Sequence, residues 1–331
     1  MDGRNTDSRN IRFGGEAVTE IHLRAYGKIN LSLDVTGVRP DGFHDLSTVM
    51  QRISLYDRIH MVWEPERKGS PDQEGDGPHP EKGLRIRMRT NRPYLPTDER
   101  NLSYKAALLM EERYGRQAGV GSGQLSISIV KNIPVAAGLA GGSGNGAAVL
   151  IGLNRLWHLG LNTRQLCSLG EELGSDVPFC VLEQNTRYRA ALATGRGEVL
   201  RPLRKSMKKY IVLAKPPFGV STKEVFRHID EYHAECHPDN QALVRGLAAG
   251  NQEVVYRNMI NVLELYTLQH YEPVKKLKEI FAAETSAEKV LMSGSGPTVF
   301  GIYPSEKEAK KACETIRSLR YEAYWASTDG R

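Results

Sequence analysis

Residues 133–148 read IPVAAGLAGGSGNGAA, and this stretch decides how the rest of the chain is interpreted. It lies between a strand-like run and a helix-like run, with Ser143 and Asn145 among its glycines. Glycine permits positive φ angles and close backbone approach, so successive N–H groups can converge on an anion. The helix that follows adds the positive end of its dipole. The stretch therefore predicts a phosphate-binding loop.

Two common nucleotide-binding motifs do not match this loop. It contains no lysine, so it is not the G-x-x-x-x-G-K-[ST] loop of P-loop enzymes. The glycine spacing differs from a Rossmann motif, and no acidic residue follows about 20 positions later. A tight turn with glycines for packing alone is the simpler alternative, and the density of glycines argues against it. The positive charge facing a bound phosphate must come from elsewhere in the chain.

Composition places the chain among ordinary globular proteins. Its 331 residues are 40% hydrophobic and 25% charged, and this length suggests two domains. The net charge of +6 comes from scattered Lys and Arg, so nucleic acid is not an expected partner. We find no secretory signal and no apolar run that predicts a membrane span. The four cysteines form no C-x-x-C pair, which favours free thiols and a cytoplasmic location.

Alternating polar and apolar residues at 21–35 predict a half-buried strand with Lys28 and Asn30 on one face. Residues 39–42, Arg-Pro-Asp-Gly, predict a turn because Pro fixes φ and Gly accepts positive φ. A strand at 46–55 is then expected to return antiparallel to the first.

The remaining patterns predict an α+β protein, because strands and helices mix without a regular βαβ rhythm. We expect a disordered tail at 1–20, an N-terminal domain at 21–182 and a C-terminal domain at 183–331. Residues 64–82, rich in Pro, Gly and acidic residues, predict an exposed loop. The other predicted elements are helices at 101–114, after the glycine loop, at 163–173, from 222, within 240–283 and from 306, and strands at 125–130, 210–214, 290–292 and 298–303.

Two charged side chains are candidates for phosphoryl-transfer chemistry. Lys28 can supply the charge that the loop lacks, although a lysine on a polar strand face is more often simply solvated. Asp176 can accept the proton of a substrate hydroxyl, although an Asp after a helix more often stabilises a turn.

Three further groups have two interpretations each. Phe43 and His44 follow the turn and form either a hydrophobic plug or a clamp for a planar ligand such as a nucleobase. Residues 293–297, Ser-Gly-Ser-Gly-Pro, form a bare turn or bring further N–H groups to the phosphate. His233, Cys236 and His237 have part of a metal-ligand spacing without a fourth ligand, so no metal site is expected.

Three segments resemble, in order, the motifs of the GHMP kinases, a family of small-molecule kinases. They are the strand with Lys28 and Asn30, the loop at 134–148, and residues 292–297. Residues 28–36, 40–44, 174–179 and 194–198 are similar to family members that act in the non-mevalonate route to isoprenoid precursors.

This resemblance implies two α+β domains with the active site in the cleft between them. It implies ATP and Mg²⁺, with Mg²⁺ held mainly through the nucleotide phosphates, and a small substrate carrying a cytidine diphosphate group. Lys28 and Asp176 would be catalytic. Substrate would be bound by Asn30, Phe43, His44 and Thr222. ATP would be bound by Asn101, Lys131, Pro134, Val135, Ala136, Ala137, Gly138, Leu139, Ala140, Gly141, Gly142, Ser143 and Gly144.

The chain departs from the family pattern at three places. Gly144 and Gly146 stand where Ser and Ala are usual, residues 182–189 are altered, and residues 70–82 form an insertion. A catalytically weak paralogue, or a kinase for another small alcohol, is therefore the alternative. The sequence leaves the oligomeric state open.

Overall fold

The computed structural model describes residues 7–13, 16–65, 84–115 and 123–328. Within them, no helix is both long and apolar enough to cross a membrane. The predicted insertion at 70–82 lies outside the described residues, as does most of the predicted loop at 64–82. The α+β class is confirmed by a sheet of seven strands and a sheet of four, each accompanied by helices.

The strands are β1 (Asp7–Phe13), β2 (Glu16–Val38), β3 (His44–Pro65), β4 (Leu84–Thr90), β5 (Gly123–Val130), β6 (Ala190–Gly195), β7 (Val199–Leu203), β8 (Tyr210–Lys215), β9 (Lys289–Met292), β10 (Val299–Tyr303) and β11 (Glu322–Ser327). The helices are α1 (Leu102–Tyr114), α2 (Gly141–Leu156), α3 (Thr163–Leu173), α4 (Val177–Asn185), α5 (Thr222–His228), α6 (Asn240–Ala249), α7 (Gln252–Arg257), α8 (Glu264–His270), α9 (Glu272–Glu284) and α10 (Glu306–Ser318). A 3₁₀ turn, Ile229–Glu231, follows α5.

The chain divides into two compact units, each built from several segments. The first unit contains residues 1–25, 57–132 and 142–185, and the second contains residues 26–56, 133–141 and 186–331. The predicted domains at 21–182 and 183–331 stay predictions.

The first unit combines helices α1 to α4 with β1, β4 and β5. It also contains residues 16–25 of β2 and residues 57–65 of β3. Strand β5 pairs antiparallel with β3 and parallel with β4. Its residues alternate between buried and partly exposed, so Leu125, Ile127 and Ile129 join the core. Helix α2 is buried along most of its length, because Val149, Leu150 and Leu153 are fully enclosed.

The second unit contains the sheet β11-β8-β10-β9 and helices α5 to α10. Strand β8 lies between β10 and β11, antiparallel to both. In the same unit, β6 pairs with the first half of β3 and with β7. One core cluster joins Ile29 and Leu31 of β2 to Leu213 of β8 and Phe300 of β10. Residues far apart in sequence therefore build one core.

The predicted turn at 39–42 connects β2 and β3. The N–H of Gly42 donates to the carbonyl of Arg39 at 3.0 Å, and Gly42 has a φ of 81°. The N–H of Arg39 donates to the carbonyl of Phe43 at 2.7 Å. The pattern of Pro and Gly therefore predicted the turn for the correct physical reason.

Part of the predicted N-terminal tail differs from the disordered segment that we expected. Strand β1 pairs antiparallel with β2, with Asp7 opposite His22 and Phe13 opposite Glu16. Pairing of backbone groups along the edge of a sheet does not require apolar side chains. A polar composition therefore did not reveal this strand.

The four cysteines differ sharply in access to solvent. Cys180 and Cys313 are buried, Cys236 is exposed, and burial raises the pKa of Cys167 to about 11. Because the thiolate is the reactive form, we expect one fast-reacting thiol in the native protein. Titration with a chromogenic disulfide should show this single thiol, and Cys236→Ser should remove it. Two or more fast thiols in the native protein would contradict the prediction.

Candidate active site

The first part of the glycine loop, which belongs to the second unit, has an unusual backbone conformation. Ala136, Gly138 and Ala140 have φ angles of 50°, 70° and 55°. Positive φ is rare for alanine, so two such residues here mark a loop whose shape is held by its surroundings. Alternation of left-handed and ordinary residues turns successive N–H groups towards one side, as in anion-binding nests. Positive φ therefore occurs in the loop as predicted, but at Gly138 and two alanines, whereas the glycines from Gly141 onward belong to α2; phosphate binding by the loop stays a prediction.

The second glycine segment, residues 293–297, packs directly against this loop. The hydroxyl of Ser293 donates to the carbonyl of Gly138 at 3.0 Å. A Cβ atom on Gly138 would overlap the carbonyl oxygen of Ser293. The amide of Asn261 donates to the carbonyl of Gly294 at 2.8 Å and holds the segment in place. Residues 293–297 therefore form a turn between β9 and β10 that packs against the glycine loop, and the alternative that their N–H groups face a phosphate stays a prediction.

Replacement of Gly138 and of Gly146 by alanine should change the free energy of unfolding in opposite directions. We expect Gly138→Ala to lower the free energy of unfolding by about 2 kcal/mol or more, because positive φ and the overlap with Ser293 both oppose a Cβ. Gly146 lies in α2, where a Cβ would meet Leu102 at an ordinary 3.5 Å. Gly146→Ala should therefore raise the free energy of unfolding by up to about 1 kcal/mol through helix propensity. Urea denaturation measures both, and equal effects of the two variants would contradict the argument.

Lys28 begins a buried chain of hydrogen bonds. Its side chain is enclosed, with the residue only 4% exposed, and its ammonium donates to the Asn30 amide oxygen at 2.7 Å. The Asn30 amide donates to the Thr48 hydroxyl at 2.8 Å, and Thr48 donates to the Ser32 carbonyl at 2.6 Å. A buried ammonium is costly unless it is well bonded, so the alternative of a solvated Lys28 is wrong.

The hydrogen-bonded series that begins at Lys28 lies beside both glycine segments. The N–H of Lys28 donates to the carbonyl of Leu139 in the glycine loop at 3.1 Å. A Cβ placed on Gly294 would stand 3.6 Å from the side-chain oxygen of Asn30. The second unit therefore brings together Lys28, Asn30, the first part of the glycine loop and residues 293–297.

Phe43 and His44 point to different neighbours. The His44 side chain is 8% exposed, and its Nε2 lies 3.0 Å from a carboxylate oxygen of Asp230. Its ring centre is 5.4 Å from that of Phe226, with a tilt of 35° between the planes. Phe43 is 55% exposed, with the Arg196 guanidinium 5.3 Å from its ring centre. The Asp230 carboxylate fixes the orientation of the His44 imidazole.

Thr222 and Phe226 of α5 connect the His44 ring to the second glycine segment, residues 293–297. Thr222 is the first residue of α5, and its hydroxyl lies 2.8 Å from that of Ser295. Phe226 follows one helical turn later, so it lies on the same face of α5. Sequence reasoning missed Phe226 and Asp230, because their only signal was their position in the helix that Thr222 begins.

Helix α5 is anchored by Glu224, which accepts hydrogen bonds from Tyr266 at 2.9 Å and Tyr271 at 3.0 Å. These two hydrogen bonds lower the pKa of Glu224. Burial, followed by the bond to Glu224, raises the pKa of Tyr266 to about 12. At neutral pH the carboxylate thus meets two protonated hydroxyls, which hold α5 against α8.

Lys131, in the first unit, forms a buried ion pair that sequence reasoning did not anticipate. Its ammonium donates to the Asp57 carboxylate and to the Asn145 amide oxygen, the latter at 3.0 Å. Asp57 is completely buried and also accepts from the Asn145 amide at 2.8 Å and the Asn132 N–H at 2.7 Å. This network joins the end of β5 to the beginning of α2. The predicted place of Lys131 near the adenine stays a prediction.

Asn101 and Asp176 stand next to the first residues of two helices in the same unit. Asn101 caps α1 by accepting from the Ser103 N–H at 3.0 Å, and its amide donates to the Pro96 carbonyl at 2.9 Å. Asp176 is half-buried directly before α4, and its carbonyl accepts from the Cys180 N–H at 3.2 Å. The predicted roles of Asn101 at ATP and of Asp176 as the base stay predictions.

The fold and these motifs define a small-molecule kinase, and the chain belongs to the GHMP kinase family. Residues 101–184 match the model of the GHMP kinase N-terminal domain, and residues 240–322 match that of the C-terminal domain.

Individual relatives indicate which small-molecule kinases the chain is similar to. The chain is 43% identical to a 4-diphosphocytidyl-2-C-methyl-D-erythritol kinase of Geobacillus kaustophilus, over 90% of this chain and 93% of the relative. It is 40% identical to a protein of the same name from Alkaliphilus metalliredigens, over 94% of this chain and 98% of the relative. A crystal structure of a 4-(cytidine 5'-diphospho)-2C-methyl-D-erythritol kinase superposes with a TM-score of 0.70 at 30% identity, covering 92% of this chain and 98% of that chain.

Proposed function

We propose that this chain transfers the γ-phosphoryl group of ATP to the 2-hydroxyl of 4-diphosphocytidyl-2-C-methyl-D-erythritol, a step of non-mevalonate isoprenoid precursor biosynthesis. The observation that carries the proposal is the buried Lys28–Asn30 pair next to two mutually packed glycine segments. The names of the relatives support the choice of substrate. A cytoplasmic location, which the free cysteines favour, is part of the proposal.

In the proposed reaction, the substrate oxygen attacks the γ-phosphorus while the bond between that phosphorus and the β,γ-bridging oxygen breaks. The hydroxyl proton passes to the Asp176 carboxylate, and ADP leaves. The glycine loop holds the phosphates through backbone N–H groups. The ammonium of Lys28 orients the hydroxyl and stabilises the charge that develops in the transition state.

Mg²⁺ fits this proposal as an ion carried mainly by the nucleotide. Mg²⁺ prefers oxygen ligands, keeps several waters and is commonly bound through substrate phosphates. Asp57 does not offer a ligand, because Lys131, Asn132 and Asn145 already bond its carboxylate. The ion would offset negative charge on the phosphates, and the residues described above would position the reactants.

A direct assay tests the proposal. The purified protein, incubated with ATP, Mg²⁺ and the cytidine substrate, should release ADP and the 2-phosphorylated product in equal amounts. Product identity is checked by phosphorus NMR. A folded protein that binds ATP but phosphorylates neither this substrate nor another small alcohol would refute the proposal and favour a weak paralogue.

His44 and Phe226, whose rings are in contact, and the separate, exposed ring of Phe43 are proposed to bind the cytosine. We expect His44→Ala to raise the KM for the cytidine substrate about tenfold, the equivalent of about 1.4 kcal/mol for a lost hydrogen bond and ring contact. The KM for ATP should not change, and His158→Asn, at an exposed histidine, should change neither constant. An unchanged KM for the cytidine substrate in His44→Ala would point to a different alcohol.

A further inference from the structure

Three possible metal ligands converge on the exposed sheet face of the first unit. Glu20 and His22 lie two residues apart on β2, and His60 lies on the neighbouring β3. Residues two apart in a strand share a face, and the intervening Ile21 is fully buried on the other side. One ligand atom from each of the three side chains lies within 4.8 Å of the other two. In the part of the chain that the structure describes, this is the single group of three such side chains.

The three side chains already contact one another. Nε2 of His60 lies 2.9 Å from a carboxylate oxygen of Glu20. The rings of His22 and His60 are stacked, with centres 4.2 Å apart and planes parallel within 2°. Glu20 and His60 are half-buried, whereas His22 is exposed. Glu20 and His60 are therefore held in place, and His22 has room to change the angle of its ring.

We propose that Glu20, His22 and His60 bind one divalent transition-metal ion, with Zn²⁺ as the best match. Two imidazole nitrogens and one carboxylate oxygen are a common zinc ligand set, and water completes a tetrahedral site. Imidazole ligands favour Zn²⁺, Cu²⁺ and Ni²⁺ over Mg²⁺, so the Mg²⁺ of the kinase reaction does not compete effectively.

The site requires one local adjustment. Parallel stacked rings direct their nitrogen lone pairs side by side rather than towards a single point. Tilting the exposed His22 ring about its side-chain bonds brings its nitrogen towards the oxygen and nitrogen of Glu20 and His60. Ligand atoms about 2.0–2.2 Å from the ion then replace the stacked arrangement. The bound ion connects β2 to β3 and stabilises this part of the sheet.

A second group of possible zinc ligands must be disabled before zinc binding is measured. His233, exposed Cys236 and His237 are close in sequence, and a free thiolate binds zinc strongly. Nδ1 of His237 lies 2.7 Å from a carboxylate oxygen of Asp34, which gives it a different partner. Cys236→Ser therefore serves as the parent protein for the measurements.

The test is a calorimetric titration of the full-length Cys236→Ser protein with Zn²⁺ in buffer containing Mg²⁺. We expect one ion per chain. His22→Ala should weaken binding by more than about tenfold, since even outer-sphere partners of metal ligands contribute 10–100-fold in affinity. His158→Asn, which removes an exposed imidazole elsewhere in the same unit, should bind Zn²⁺ like the parent.

Thermal unfolding gives a second readout that does not depend on kinase activity. Without metal, His22→Ala should unfold only slightly below the parent, because the exposed His22 ring loses nothing but its stacking contact with His60. Added Zn²⁺ should raise the midpoint of the parent and of His158→Asn but not that of His22→Ala. Absence of saturable binding in the parent, or equal affinity in His22→Ala, would show that the cluster is only a stacked histidine pair bonded to a carboxylate.

Discussion

Replacing Asp176 by Asn is expected to lower kcat by about 10²–10⁴-fold, the usual contribution of a positioned general base. The amide cannot accept the hydroxyl proton at neutral pH, so phosphoryl transfer loses its proton acceptor. The KM for ATP should change little, because Asp176 is not among the groups proposed to hold the nucleotide. Steady-state kinetics with both substrates measures the two effects separately.

Replacement by Asn tests the catalytic role of Asp176 separately from any structural role. Asp176 stands directly before α4, and its carbonyl accepts the Cys180 N–H at 3.2 Å. Asn and Asp are similarly favourable at the capping position directly before a helix, so the fold should be unaffected. The variant should unfold at the same urea concentration as the parent. A variant with near-normal kcat would remove Asp176 from the mechanism, and one with lowered stability would assign it a structural role.

Replacing Asp57 by Ala is expected to lower the free energy of unfolding by about 3–5 kcal/mol, the cost of breaking a buried ion pair on one side. The carboxylate is completely buried and bonds the side chains of Lys131 and Asn145 and the N–H of Asn132. Its loss leaves the Lys131 ammonium buried without its counter-charge. Urea denaturation followed by circular dichroism measures the change.

An exposed ion pair in the same unit provides the matched control. Arg113 lies 2.8 Å from Glu172, and both side chains are more than 40% exposed. Glu172→Ala should cost no more than about 1 kcal/mol, as is usual for solvated pairs. The double variant Asp57→Asn, Lys131→Met removes both charges and should be more stable than Asp57→Ala. Equal losses for Asp57→Ala and Glu172→Ala would contradict a structural role for the buried pair.

Local patterns in the sequence predicted much of the fold. The alternation around Lys28 and Asn30 correctly predicted the strand β2, although both of its faces are buried there rather than one, and the predicted helix at 163–173 matches α3. The glycine loop was recognised from its glycine density, which is a property of a short segment, whereas the positive φ of Ala136 and Ala140 was not predictable from it. These features depend on neighbours in sequence, so a single sequence contains enough information to predict them.

The partners of the site residues were not predictable in this way. Asp57 and Lys131 are 74 positions apart, and His44 and Asp230 are 186 positions apart. No periodic pattern indicates which carboxylate meets which cation across such distances. Asp57 lies within the strand β3 and has no turn or spacing signal of its own. These contacts arise from the way that the chain segments assemble, so they required the three-dimensional structure.

The interleaved segments of the two units have a consequence for synthesis of the chain on the ribosome. All segments of the first unit have been translated once residue 185 is added, whereas the second unit waits for residues up to 331. Until then, Ile29 and Leu31 lack their core partners Leu213 and Phe300. A gene fragment encoding residues 183–331 alone would likewise omit the β2 and β3 segments that complete this core. The two halves of the sequence are therefore poor units for separate expression, and the nascent protein must keep its early apolar strands from aggregating while it waits.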